Sequence, residues 1–94
     1  MNEIIISETT FSPIKPSPKG LVGFSSVLFN GMLCLNSIAV YVRPNGELRL
    51  VFPTKVLANA KEISMYYPVT RECYDAIKHE IVRKYDEVMA GITG

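Results

Sequence analysis

The residues able to do chemistry are few: two cysteines, one histidine and no tryptophan, set among ten Lys plus Arg and nine Asp plus Glu in 94 residues. Cys34 lies inside an apolar strand pattern and Cys73 in the first turn of a predicted helix. Neither belongs to a C-x-x-C pair, and His79 has no partner at ligand spacing, which argues against zinc. Both cysteines are read as buried or inert. A helix N-terminus lowers a thiol pKa, but nothing beside Cys73 looks like a general base. No carboxylates form a recognisable acidic pair, and neither Gly20-Leu21-Val22-Gly23 nor Asn45-Gly46 resembles a phosphate-cradling loop. The expectation is a protein that is not an enzyme and uses no cofactor or metal.

What remains is charge. The formal net charge is +1, so any basic surface must be local. Phosphate binding needs several cations on one surface, and the candidates are Lys55 and Lys61 in a loop with Arg71, Lys78, Arg83 and Lys84 on a helix. Lys55, Arg71, Arg83 and Lys84 are expected to carry most of such a contact, because the strands offer only Arg43 and Arg49. A two-fold axis would double whatever patch one chain presents. The bland reading stands beside it: a lysine pair in a loop, and helix cations interleaved with Glu80, Asp86 and Glu87, also make an ordinary solvated face. Nothing matches a helix-turn-helix, a zinc finger, an RRM aromatic pair or a KH loop, so no mode of base reading is assigned.

The elements that must position these residues are legible from periodicity. At this length and 48% hydrophobic content the chain reads as one domain over residues 1–94, with a core that oligomerisation would help. The organising stretch is Gly46 to Lys55, GELRLVFPTK, in which Leu48, Leu50 and Phe52 alternate with Glu47, Arg49 and Val51 as in a strand with one buried face. Pro53 ends it, since proline cannot donate to a sheet ladder. Upstream, Asn30-Gly31 joins the apolar runs Leu21 to Phe29 and Met32 to Val42 as a hairpin, the second strand being apolar on both faces as if covered on both sides. Pro44-Asn45-Gly46 makes the next turn.

Glu3 to Phe11 has mixed faces, which suits an edge strand or one that pairs with another subunit, and the proline-rich Ser12 to Gly20 reads as a loop. Thr54 to Glu62 is a connection carrying Lys55 and Lys61, and Ile63 to Tyr67 a short extra strand closed by Pro68. Thr70 is the N-cap of a helix whose Tyr74, Ile77, Ile81, Tyr85, Val88 and Met89 form one apolar stripe, and Gly91 stops it. Met1-Asn2-Glu3 lacks a basic start and Ile4-Ile5-Ile6 is too short for a signal-peptide core, so the expected location is cytoplasmic. The fold class is α+β: an antiparallel meander of four to five strands with one long C-terminal helix.

A meander, then GELRLVFPTK, then Tyr66-Tyr67-Pro68-Val69, then a helix with Arg71, Ile77, Ile81 and Tyr85 resembles the stage V sporulation protein G (septation protein, SpoVG) family of bacterial regulators. The resemblance covers roughly Ile4 to Val88, and its most specific part is the Pro-x-Lys after a glycine-led strand paired with the Tyr-Pro before the helix. It implies a homodimer that shares strands between subunits, and site-specific DNA binding in gene regulation, sporulation or septation, with RNA as a further partner. The chain departs from the family in carrying Tyr67 where His is usual, a more apolar Val56-Leu57-Ala58-Asn59-Ala60 and a three-proline first loop. The competing class is a dimeric protein-interaction module that does not touch nucleic acid.

Overall fold

The computed structural model describes residues 3–15 and 17–93, with side chains as far as Gly91. Met1, Asn2, Pro16 and Gly94 lie outside the described residues, and with them the start of the signal-peptide reading and the middle proline of the first loop. Four antiparallel strands, β1 (Ile6–Pro13), β2 (Leu21–Phe29), β3 (Leu33–Val42) and β4 (Leu48–Val51), form a sheet in the order β1-β2-β3-β4. The short strands β5 (Thr54–Val56) and β6 (Glu62–Ser64) pair only with each other, and α1 (Arg71–Thr93) covers one face of the larger sheet.

Alternation decides which side chains meet the helix. Phe11, Val27, Ile38, Val40, Leu48 and Leu50 point inward and, with Ile77 and Ile81 of the helix, make up the buried core. Tyr85 packs edge-on against Phe11 at 5.1 Å, and Phe52, just past β4, lies edge-on to Tyr66 and Tyr74. The expected stripe is thus the packing face. Gly23 lets β1 and β2 approach under it, because a Cβ there would fall 2.5 Å from the Ser12 carbonyl oxygen and 2.6 Å from the Phe11 ring. At the helix start the Thr70 hydroxyl accepts from the Cys73 amide at 3.1 Å, the expected cap.

Several expectations are corrected. β1 runs on through Ser12 and Pro13, which read as loop; an edge strand tolerates proline at its end, and Pro13 pairs with Gly23. β3 is central but covered on one side alone, since the single helix reaches only one face, and Leu33, Cys34, Asn36 and Ser37 are exposed. Cys34 is therefore not a buried thiol. The connection after Pro53 is itself a hairpin: Lys55 lies on β5, and the extra strand is Glu62–Ser64 rather than Ile63 to Tyr67. Its turn uses no glycine; Asn59 Oδ1 accepts from the Lys61 amide and Ala60 takes φ 66°. Gly91 does not end the helix, which continues to Thr93.

The hairpin β5–β6 stands apart as an arm: all its strand residues are exposed, and the Met65 amide bonded to the Pro53 carbonyl closes its base at 2.9 Å. The molecule is a slab of 42 × 41 × 21 Å with a radius of gyration of 14.1 Å. A compact domain of this length would have about 12 Å.

Two substitutions check this packing by melting temperature. Ile81→Ala, at a side chain with no exposed surface, should cost about 2–5 kcal/mol. Thr9→Val should stabilise by about 1 kcal/mol, because the buried Thr9 hydroxyl finds no hydrogen-bond partner among the described residues. An unchanged melting temperature for Ile81→Ala would mean that the stripe is not the core.

Candidate nucleic-acid interface

The cations picked out in the sequence fall on two elements. Lys55 sits on β5 and Lys61 just before β6, so the arm holds both, and neither has an acidic partner within ion-pair distance among the described residues. Arg71 opens the helix and is likewise unpaired. The other three are tethered. Lys78 Nζ meets Glu47 Oε1 at 3.1 Å and lies 6.0 Å from the Tyr74 ring centre. Arg83 bridges Glu80 at 3.1 Å and Glu87 at 3.4 Å, and Lys84 reaches Glu87 at 3.0 Å.

Helix geometry keeps these six from forming one surface. At about 100° per residue, Lys78 and Lys84 flank the apolar stripe on opposite sides roughly 120° apart, and Arg83 points away from it. Arg71 and Lys84 are separated by about 20 Å along the axis. The helix as a whole carries four Lys/Arg against five Asp/Glu, a net negative element. Arg83 and Lys84 are brought together, but around a shared carboxylate; Lys55 and Lys61 share the arm with Glu62, to which neither is paired.

The carboxylates register this pairing. Hydrogen bonding and charge from Lys78 hold Glu47 below its ordinary value of 4.5, and Lys84 does the same for Glu87. Both are on the surface, where such pairs are weak. Tyr66 shows the opposite effect: burial, and secondarily Cys34, push its phenol up to about 12, so it stays protonated and donates to the Asn36 carbonyl at 2.5 Å. That bond ties the segment before the helix to the exposed half of β3. Burial, then Glu72, raise the Cys73 thiol, so desolvation outweighs the helix N-terminus there.

Beside Tyr66 lies an apolar cleft of about 190 Å³ between the β2–β3 hairpin and the helix start, lined by Phe29, Leu33, Leu35, Phe52, Tyr67 and Cys73 among others. Leu33 and Tyr67, which line it, are exposed, as are Met32 and Val69 next to lining residues in the chain and Val56, Ile63 and Met65 on the arm and its base. Among the described residues no cluster of His, Cys, Asp or Glu could hold a metal ion, and no helix is long and apolar enough to cross a membrane. No family model and no curated protein matches the chain.

The sequence reading passed over the outer face of the sheet. There Phe24 is exposed and Arg49 lies 5.8 Å from the Tyr41 ring centre. The alternation that turns Val40 and Leu50 inward also turns Tyr41 and Arg49 outward, which was the available signal.

The carboxylate shifts carry a pH dependence of definite sign. A lowered folded pKa gives stability that is present above the ordinary value of 4.5 and lost as the pH falls through the folded value. In an NMR titration the Glu47 carboxyl should titrate below that of a free glutamate, and Lys78→Ala should move it back up. A Glu47 titration unaffected by Lys78→Ala would contradict the pairing. The thiols give a second check: a disulfide reagent should label the exposed Cys34 fast and Cys73 slowly.

Proposed function

We propose that this chain is a regulatory nucleic-acid-binding protein of the SpoVG type, acting as a homodimer on DNA in the first place and RNA in the second, in bacterial gene regulation, sporulation or septation. The observation that carries the reading is the arm. A two-stranded hairpin is marginal alone in water, and this one exposes Val56 and Ile63 while packing on itself. A second copy supplies the missing apolar contact, and the cleft lined by Leu33, Phe52 and Tyr67 is a surface of matching character. Dimerisation then brings four arm lysines, unpaired by acids, onto one assembly. Phosphate contacts of this kind position a partner without reading its bases.

The charge balance of the helix favours a second reading, a dimeric protein-interaction module. Salt separates the two. Sedimentation should give about 21 kDa, twice the 10.5 kDa chain, at micromolar concentration. Anisotropy titrations of duplex DNA should show affinity falling with salt at a log–log slope of about −0.9 per phosphate contacted, and Lys55→Ala with Lys61→Ala should flatten it. A monomer would remove the dimer, and absence of binding to DNA and RNA at low salt would leave the protein-interaction module as the better account.

A further inference from the structure

We propose that the outer face of the four-stranded sheet is a stacking platform for single-stranded nucleic acid, with Phe24 and Tyr41 each beneath a base and Arg49 beside the backbone. This rests on the nucleic-acid reading above and names the form of strand and the surface that takes it.

Phe24 is 42% exposed, and its cross-strand neighbours, Ser12 on β1 and Ala39 on β3, are both small. Nothing large covers its ring. Tyr41 stands two residues beyond Ala39 on the same face, with Arg49 as its partner on β4; the Arg49 guanidinium lies over the Tyr41 ring, 5.8 Å from its centre, and must swing aside to the backbone as a base stacks there. The aromatics are therefore diagonal neighbours on adjacent strands, about 7–8 Å apart at the backbone. That is about twice the roughly 3.4 Å rise of a stacked strand, so two successive bases must splay apart, one to each ring. A duplex hides its base faces and cannot do this.

The rest of the face is polar. A shallow depression of about 440 Å³ beside Phe24 is lined by Thr10, Ser12, Ser25, Ser26 and Ser37; the Thr10 and Ser26 hydroxyls bond each other at 2.7 Å, and the buried Ser25 hydroxyl donates to the Thr10 carbonyl. An aliphatic protein surface laid here would strand the exposed Ser12 hydroxyl, whereas base edges, sugar hydroxyls and phosphates can use it and the spare acceptor capacity of Thr10, Ser26 and Ser37. Charge agrees. The four strands carry one acid, Glu8 at the β1 bulge, and Arg49 is their one cation. At the end of the sheet nearest Tyr41, the Val42 amide donates to the Gly20 carbonyl at 2.9 Å, which sets Lys19 beside Arg43. Neither has an ion-pair partner among the described residues. A strand crossing the two rings thus leaves the sheet past Lys19 and Arg43, the nearby Glu47 being held by Lys78.

The test is anisotropy with labelled DNA and RNA single strands of about ten nucleotides and the matching duplexes. The chain should prefer the single strands, and Phe24→Ala and Tyr41→Ala should each weaken binding about tenfold or more. Tyr41→Phe keeps the ring and should retain affinity; all variants should keep the parent's melting temperature and sedimentation. Single-strand affinity unchanged in both alanine variants overturns the platform while leaving nucleic-acid binding intact, which Lys55→Ala with Lys61→Ala would then locate. Loss of the dimer in Phe24→Ala makes this face a contact between copies and overturns it too. If the parent binds neither form at low salt, the platform and the broader reading fall together.

Discussion

One helix against one sheet is the constraint from which the rest follows. Ile77 and Ile81 are buried in one cluster with Ile38, Val40, Leu48 and Leu50 of the central strands. A single helix has one apolar stripe, so it covers one face and leaves the other to water. What is left uncovered is not random. On the outer face stand aromatics, hydroxyls and an arginine; on the far side of Pro53 stands an arm with apolar side chains and two lysines.

This division explains why charge alone misleads. The helix holds four of the cations, yet its own Glu80 and Glu87 take Arg83 and Lys84 into ion pairs, and Glu47 from the turn before β4 takes Lys78. Exposed pairs of this type contribute little to stability, but they set the local field near neutrality and remove the helix as the strongest attractor for phosphate. Apart from Arg71 at the helix start, the unpaired cations named above lie on the arm, the sheet end and the open face. Two surfaces of different character result, one suited to another chain and one to a flexible polyanion with flat apolar groups.

The elements were legible where the signal was local. Asn30-Gly31 marked its hairpin, alternation placed Leu48 and Leu50 inward, and Thr70 capped the helix. Failures came where tertiary context decided. Pro13 suggested a loop, but pairing with Gly23 extends the edge strand. The arm turn lacked glycine and proline and was hidden in an apolar stretch, with Ala60 in the left-handed region instead. The apolarity of β3 suggested cover on both faces, yet counting helices would have shown that only one exists to cover it. Of the candidate cations, Lys55 and Lys61 lie on one exposed arm, as their nearness in sequence suggested, while the carboxylate tethers of Arg83 and Lys84 depend on rotamers that spacing only permits. Phe24 was missed because an aromatic in an apolar run reads as core.

The most direct measurement is amide chemical-shift mapping of the labelled protein as a single-stranded oligonucleotide is added. The account predicts shifts at Phe24, Ala39, Tyr41 and Arg49, extending to Lys19 and Arg43, with Arg83 to Glu87 unmoved. Shifts confined to the outer helix face around Arg83 and Lys84, with the sheet silent, would contradict it.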